Sequence, residues 1–310
     1  MTKMKLTDKE IGSVAAIILN YNGYEDTEAC INSIQKIYGD RLAIYLIDNA
    51  STDGSGLKLK KKFSAVSFYE LEENRGYAAG NNLGIQKALS DGFKNFLVLN
   101  NDIILTEDVL TPFLDEFHSD PQTGIVTCKV FFTGPEKIIY SAGGRFNRWI
   151  CTGENLKIGK ADDGISERKI IDFFPGAIFL IKKEVVDNVG FMKEHFFMYY
   201  EDLEYSFRVN QMYKMVYFSD VSVLHGCGGG KKGMAYSALY LYYHTRNRLW
   251  LFRERSFFYF IYVVLFTFAN CIWKTTVVFR AESAKKDRMH KLKKLWSGYF
   301  HGLFAPTVKK

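Results

Sequence analysis

The chain has 310 residues, enough for one large domain or two small ones, and its 47% hydrophobic and 24% charged content excludes a disordered, collagen-like or fibrous protein. Its five cysteines are an odd number without a C-x-x-C pair, which argues against a disulfide framework or a zinc ribbon and favours a reducing compartment. Residues 241–310 hold 14 basic and 3 acidic residues, a net charge of +11, whereas residues 1–240 carry −4, so a region suited to an anionic membrane face or nucleic acid follows a mildly acidic body. The polar stretch 1–11 predicts no secretory signal.

Apolar runs alternate with helical patterns over the first 130 residues. The runs that predict buried strands lie at 14–19, 42–47, 66–71 and 96–99, and helical spacing appears at 25–37 and 77–89. Alternation of this kind produces parallel strands joined by crossover helices. We therefore expect an open α/β sheet, whose ligands bind beyond the carboxyl ends of the strands.

Each of the four predicted strands is followed by a polar segment. These segments read NYNG at 20–23, DNASTDGS at 48–55, NRGY at 74–77 and NND at 100–102. One such segment alone is usually an ordinary turn. Four of them at one sheet edge favour a polar ligand with many hydroxyl groups.

The ordered set of motifs resembles the GT-A glycosyltransferases, specifically the large inverting family 2 with rhamnosyltransferase-like members. The matching stretches are IILNYNG, IDNASTDGS, ENRGYAAGNNLGI and LVLNNDI, and PGAIFLIKKEVVDNVGFMKEHFFMYYEDLEYSFRV resembles the acceptor-side half of that family. The resemblance implies a Rossmann-like, mostly parallel sheet flanked by helices at 1–232. A basic, aromatic helical extension, membrane-associated or dimerising, is expected at 233–310. The implied reaction moves a sugar from a nucleotide donor to a hydroxyl group with inversion.

A nucleotide site is expected at the ends of the first strands. By resemblance Asp48 contacts the base or the ribose, and the alternative is that Asp48 caps the helix after its loop. Asp53 is interpreted as a turn or cap residue. The residues that the resemblance assigns to the nucleotide are Asn20, Tyr21, Asn22, Asp48, Asn74, Gly76 and Asn101.

A divalent cation is expected beside the diphosphate. Asp102 is the one carboxylate of the NND segment, which stands where the family carries its Asp-x-Asp-type motif, and it is assigned to Mg²⁺ or Mn²⁺. The cation acts as a Lewis acid on the leaving group. By resemblance His225 lies near the metal or the diphosphate, and the alternative is a structural histidine. Lys231, in the glycine-rich segment that follows, is assigned to the diphosphate, with a solvated lysine as the alternative.

An acidic cluster follows the aromatic run at 196–200. Aromatic walls desolvate a carboxylate and raise its proton affinity, which suits a general base. By resemblance Asp202 takes the proton of the acceptor, and Glu201 orients the acceptor or its loop. The alternative is an acid-rich helix N-terminus, favoured by the helix dipole. Arg208 either pairs with an acidic neighbour or meets the diphosphate.

Residues 256–273 carry no formal charge and are flanked by basic residues. As a helix they would be about 27 Å long, just short of a hydrocarbon core of ~30 Å. We favour helices that lie in the membrane interface over a spanning helix, with a homodimer interface as the alternative. Family resemblance then implies an enzyme on the cytoplasmic, inner face of the cell membrane. Its donor would be a dTDP-sugar such as dTDP-L-rhamnose, or a UDP-sugar, and its acceptor a lipid-linked glycan of a bacterial polysaccharide pathway.

Two other classes of protein were weighed against this interpretation. A sugar nucleotidyltransferase would need a Gly/Arg/Lys-rich loop after the first strand to grip a triphosphate, and NYNG at 20–23 lacks one. A non-enzymatic adaptor that used the basic region would leave the polar strand ends unexplained. No nucleic-acid partner is expected.

Overall fold

The computed structural model describes residues 8–226, 236–253, 256–281 and 285–306. Strands and helices alternate through the first half, and three long helices close the chain. The strands are β1 (Val14–Asn20), β2 (Ala43–Asp48), β3 (Ser67–Glu70), β4 (Asn95–Asn100), β5 (Ile103–Leu105), β6 (Thr123–Phe132), β7 (Ile139–Ser141), β8 (Gly144–Asn147), β9 (Thr152–Asn155), β10 (Arg168–Ile171), β11 (Ile178–Lys182) and β12 (Lys214–His225). The α-helices are α1 (Asp8–Ile11), α2 (Tyr24–Tyr38), α3 (Ser55–Lys62), α4 (Gly76–Ser90), α5 (Leu110–Ser119), α6 (Lys183–Val189), α7 (Glu201–Val209), α8 (Ala238–Arg253), α9 (Phe257–Ala281) and α10 (Lys285–Phe304).

The four predicted strands and the two predicted helices are confirmed, each to within one residue at either end. The clear apolar pattern of these elements in the sequence has a physical cause. β1 lies in the middle of the sheet with α4 on one face and α2 on the other, so it is buried on both faces and reads as an unbroken apolar run. The predicted α/β class, with a curled mixed sheet flanked by helices, is also confirmed.

The main sheet has the strand order β10-β12-β6-β11-β4-β1-β2-β3, with β5 paired to β12 and β7 to β6. β1 to β4 are parallel, and β11 runs antiparallel between β4 and β6. β12 runs parallel to β6, so its carboxyl end returns to the edge at which β1, β2 and β4 end. Residue 178, the first of β11, pairs with Leu99 at that same edge. The polar strand ends and the segment before β11 therefore share one side of the sheet.

The C-terminal helices pack on this α/β body through a shared hydrophobic cluster. The cluster joins Phe173, Phe196 and Leu203 of the body to side chains of α8, α9 and α10. α9 buries one helical stripe that contains Val263 and Cys271. The uncharged stretch at 256–273 lies within this longer helix from its second residue onward, and the helix has the length and apolar composition to cross a membrane. A domain boundary near residue 232 falls outside the described residues and stays a prediction.

Candidate active site

A buried hydrogen-bond network joins the carboxyl ends of β1 and β2. Asn20, fully buried, donates from Nδ2 to Asp48 Oδ1 at 2.6 Å and to the hydroxyls of Ser51 and Ser55 at 3.0 Å. Its Oδ1 accepts the hydroxyl hydrogen of Thr27 at 2.8 Å. Asn20 therefore ties the first strand to the loop at 49–55 and orders that loop from within.

Asp48 is only 1% exposed, and its carboxylate is occupied by the chain itself. It accepts the backbone N–H of Ser51 at 2.9 Å and the Ser51 hydroxyl at 2.7 Å. A Cβ at position 56 would lie 2.6 Å from the Asp48 carboxyl carbon, so Gly56 makes this close approach possible. Asp48 thus organises its loop rather than capping α3. Its contact with a nucleotide stays a prediction.

The exposed rim of this edge is formed by neighbouring residues. Tyr21 is 47% exposed, and Asn22 accepts the N–H of Thr52 at 2.8 Å. Asp53 accepts the N–H of Ser55 at 2.9 Å, as expected for a turn residue at the start of a helix. Tyr21 thus presents an aromatic ring, and Asn22 an ordered loop, where a nucleotide was predicted.

Asn74 and Gly76 connect the sheet edge at which a nucleotide is predicted to the aromatic loop at 195–200. Asn74 Oδ1 accepts the N–H of Gly76 and an amide hydrogen of Asn49, both at 3.0 Å. Gly76 has φ +82°, and a Cβ there would lie 2.1 Å from the carbonyl oxygen of Phe197. The backbone at 76 therefore requires glycine on two counts. Sequence reasoning placed both residues at the nucleotide, and the structure shows them joining two loops.

The predicted metal residues Asp102 and His225 lie together although they are far apart in the chain. Pairing of β12 with β5 sets His225 opposite Ile103, and His225 Nε2 lies 3.0 Å from Asp102 Oδ1. The N–H of Gly226 donates to the Asp102 carbonyl at 2.8 Å and fixes the approach of the two segments. Asn101, by contrast, donates to the hydroxyl of Thr27 at 2.9 Å.

These donors fit a six-coordinate divalent cation. Metal–oxygen bonds of about 2.1 Å place neighbouring ligands of an octahedron about 3 Å apart, which matches the Asp102–His225 separation. The described residues contain no cluster of three or more metal-ligating side chains, so diphosphate oxygens and water would complete the shell. Asp26, which sequence reasoning missed, responds to the charge of Asp102: burial, then the charges of Asp102 and Glu25, raises its pKa. Its position in the first turn after β1 was the available signal.

Glu201 and Asp202 are the first two residues of α7, and the protein encloses part of their surface. A Cβ at Gly176 would lie 3.6 Å from Asp202 Oδ2 and 3.3 Å from the Tyr77 hydroxyl, so both groups lie beside Gly176. The Tyr77 hydroxyl donates to the Gly176 carbonyl at 2.5 Å. Asp202 therefore points toward the segment before β11, at the polar edge of the sheet. Neither Tyr77 nor Gly176 was predicted, since nothing in their local sequence points to this contact.

The pKa values of the two acids are displaced to different extents. Burial raises the pKa of Asp202 to about 6, opposed by hydrogen bonds from the N–H groups of Leu203 and Gly176. Burial, and then the charge of Asp202, raises the pKa of Glu201 well above its ordinary value. Glu201 is 5% exposed, and none of the described residues offers a hydrogen-bond partner to its Oε2. Burial thus raises the proton affinity of both acids, which suits a carboxylate that is to take a proton.

One tyrosine lies beside each of the two pairs: Tyr140 beside His225, and Tyr77 beside the Gly176 segment that Asp202 approaches. The ring of Tyr140 packs edge-on against His225 with the ring centres 4.5 Å apart. Burial, and then Glu201, Asp202 and Tyr140, raises the pKa of Tyr77.

The structure favours the ion-pair alternative for Arg208. Its Nε and Nη2 donate to the Glu204 carboxylate at 2.9–3.0 Å, and its Nη1 and Nη2 also reach the carbonyls of Val189 and Phe191 at 2.6 and 2.8 Å. Its donors are taken up by these contacts, and its assignment to the diphosphate stays a prediction. Lys231 lies outside the described residues.

A protein-family model described as Glycosyl transferase family 2 matches residues 15–190. The low-salt glycan biosynthesis hexosyltransferase Agl10 of Haloferax volcanii is 23% identical over 217 residues, 67% of this chain and 64% of that protein. The poly-β-1,6-N-acetyl-D-glucosamine synthase of Staphylococcus aureus is 27% identical over 121 residues, 38% of this chain and 28% of that protein. The chain thus spans less than two thirds of the length of these curated relatives.

Solved structures with the same fold as this chain include those of PcManGT and TarS. Mannosyltransferase PcManGT of Pyrobaculum calidifontis, in complex with GDP-Man and Mn²⁺, has a TM-score of 0.56 at 15% identity. The match covers 94% of this chain and 87% of that chain. S. aureus TarS 1–349 in complex with UDP-GlcNAc has a TM-score of 0.56 at 13% identity and covers 93% and 81%. At these identities the likeness establishes the GT-A fold.

Proposed function

We propose that this chain, which belongs to glycosyl transferase family 2, transfers a sugar from a nucleoside-diphosphate donor to a hydroxyl group of a lipid-linked glycan with inversion. The observation that carries the proposal is the Glu201–Asp202 pair, whose pKa values are displaced to different extents at the polar edge of the sheet. Asp102 and His225 lie at that same edge. A base and a site for a leaving diphosphate are what a single displacement requires.

Asp202 acts as the general base. It takes the proton of the acceptor hydroxyl, whose oxygen forms a bond to the anomeric carbon as the bond to the nucleoside diphosphate breaks on the opposite face. Glu201, whose pKa burial raises, orients the acceptor. A positioned general base contributes about 10²–10⁴-fold to the rate.

Asp102 and His225 hold the divalent cation, which supplies Lewis-acid stabilisation of the leaving diphosphate when it is bound. Mn²⁺ is present in two similar structures, PcManGT with GDP-Man and GalNAc-T7 with UDP and GalNAc, which supports Mn²⁺ or Mg²⁺ here. The nucleotide lies along the edge of β1 and β2, with its base against the exposed ring of Tyr21. We place dTDP-L-rhamnose and UDP-sugars first among the donors to be tested.

The C-terminal helices hold the enzyme on an anionic membrane, on the cytoplasmic face. α9 exposes a face of large apolar side chains, among them Phe258 at 81%. The hydroxyls of Tyr259 and Tyr262 donate to the carbonyls of Arg148 and Trp149 at 2.7 and 2.5 Å, so the β8–β9 hairpin extends that face. Trp149 itself is 68% exposed. Each lysine or arginine near an anionic leaflet adds about 1 kcal/mol of attraction.

A donor panel with a polyprenyl-diphosphate-linked acceptor tests the reaction. We expect transfer from one nucleotide sugar, dependence on Mn²⁺ or Mg²⁺, and a product of inverted anomeric configuration. Release of pyrophosphate from a nucleoside triphosphate and a sugar phosphate would instead indicate a nucleotidyltransferase. Flotation with phosphatidylglycerol vesicles tests the membrane face, and a stable dimer without vesicle binding would assign that face to a second copy.

A further inference from the structure

The loop that delivers Glu201 has an unusual backbone. Phe197, Tyr199 and Tyr200 have φ values of 67°, 67° and 75°, and none of them is glycine. Left-handed conformations cost free energy for ordinary side chains and persist only where the surroundings impose them. The cause of this conformation must therefore lie outside the loop.

Helix α8 supplies most of the donors that hold the loop. Asn247 is fully buried, and its Nδ2 donates to the carbonyls of Phe196, Met198 and Tyr199 at 2.9, 2.8 and 2.8 Å. Arg246 Nη2 donates to the carbonyls of His195 and Phe196 at 3.2 and 2.8 Å. The carbonyl between them, of Phe197, accepts the N–H of Tyr77 at 2.7 Å. Every carbonyl from 195 to 199 thus has a donor from another part of the chain.

The donors are themselves held in place. Arg246 Nε donates to Asn247 Oδ1 at 2.8 Å, which turns the Asn247 amide so that its Nδ2 faces the loop. The Arg246 guanidinium lies over the Trp250 ring, 4.0 Å from its centre. The next residue, Arg248, donates to the Tyr200 hydroxyl at 2.9 Å, and that hydroxyl donates to the Cys151 carbonyl at 2.8 Å.

These side chains are costly to bury for packing alone. Arg246 and Arg248 are both more than nine-tenths buried, and no described carboxylate forms a salt bridge with either. Apolar side chains of similar volume would join two helices at less desolvation cost. Only donors can satisfy a run of loop carbonyls, so the place of Arg246 and Asn247 is explained by the loop. Arg248 holds the Tyr200 hydroxyl at 2.9 Å and also reaches Asn270 of α9 at 3.4 Å.

We propose that Arg246, Asn247 and Arg248 are positioning residues that hold the 195–200 loop in its left-handed conformation and so set Glu201 and Asp202 against the polar edge of the sheet. This inference rests on the proposed function, because it gives the loop its role through Asp202. It also makes α8 part of the acceptor side of the site, although the family model ends at residue 190.

The test compares substitutions of Asn247 and Arg246 with a substitution of another arginine on the same helix. Asn247→Asp keeps the size of the side chain but places an acceptor opposite three carbonyls. Arg246→Met removes the donors, and Arg246→Lys keeps a charge and a donor. Arg253→Gln is the control, because Arg253 donates to the carbonyls of Gly302 and Ala305 in the α10 region and not to the loop.

We expect Asn247→Asp and Arg246→Met to lower kcat by about 10²-fold, the effect of misplacing a catalytic group by about 1 Å, with donor KM unchanged. Arg246→Lys should recover part of that loss, and Arg253→Gln should stay within about twofold of the wild type. The acidic limb of the kcat profile, set by Asp202 with Glu201 and Tyr77 as its titratable neighbours, should move to lower pH as water enters.

Amide hydrogen exchange reads the same arrangement without activity. The N–H groups of Tyr77 and Glu204 donate to the carbonyls of Phe197 and Tyr200, so both should exchange faster in Asn247→Asp and not in Arg253→Gln. Normal kcat together with slow exchange in Asn247→Asp would overturn the inference, as would an equal loss of kcat in Arg253→Gln. If the wild type transfers sugar from no donor, the proposed function fails, and the exchange rates still decide whether α8 holds the loop. Should Asn247→Asp not fold, Arg246→Lys makes the same comparison.

Discussion

Replacing Asp202 with asparagine should stabilise the protein and abolish its activity. Asparagine keeps the size of the side chain and an oxygen that can accept the N–H groups of Leu203 and Gly176. It removes the negative charge and the ability to take a proton. We therefore expect sugar transfer to fall by at least ~10²–10⁴-fold while nucleotide binding survives.

The gain in stability follows from the pKa of Asp202. Burial raises it from 3.8 to about 6, and the difference corresponds to about 3 kcal/mol of free energy. Because the folded-state pKa is the higher one, this destabilisation is absent below pH 3.8, grows between 3.8 and about 6, and is complete above about 6. At pH 7.5 the Asp202→Asn variant should unfold at a temperature a few degrees above the wild type, with a smaller difference at pH 5.

Calorimetric unfolding at pH 5 and pH 7.5, beside the transfer assay, measures both effects. Asp187→Asn is a suitable control, because Asp187 forms an exposed ion pair with Lys183. This substitution should leave activity unchanged and should change the free energy of unfolding by no more than ~1 kcal/mol. A lower melting temperature of Asp202→Asn at pH 7.5 would refute the burial argument. Near-normal transfer would remove Asp202 from the role of base.

Four further substitutions test the metal site, the membrane face and one loop contact. Asp102→Asn should weaken Mn²⁺ binding by more than the ~10–100-fold that is typical of an outer-shell change. Titration monitored by electron paramagnetic resonance measures this affinity, and an unchanged value would exclude Asp102 as a ligand. Phe258→Ser and Trp149→Ser should each remove about 2 kcal/mol of apolar burial on phosphatidylglycerol vesicles, seen as reduced flotation, and full flotation of the double variant would exclude this face. Gly76→Ala should lower the free energy of unfolding in urea by about 1–3 kcal/mol, because its Cβ would meet the Phe197 carbonyl, and an unchanged midpoint would contradict that contact.

Tertiary structure changed the meaning of several predicted residues. Asn20, Asp48 and Asn74 were assigned to a nucleotide by family resemblance; the structure shows their polar atoms holding loops of the chain itself, and their contact with a nucleotide stays a prediction. Arg208 pairs with Glu204 one helical turn away. A strand-end motif indicates where a ligand binds, but which side chains face inward depends on loop conformation, which no spacing encodes.

The amino-acid sequence alone determined the strands and helices of the first half, the sheet class and the family, because burial on both faces of a sheet and the helical period leave patterns within 5 to 15 neighbouring residues. It also singled out Asp102 and His225, but their 3.0 Å approach depends on the pairing of β12 with β5. The hold of Asn247 on the aromatic loop was decided by tertiary structure alone. A buried amide in an amphipathic helix looks like any other polar residue until the carbonyls it satisfies, some 50 residues earlier, are brought beside it.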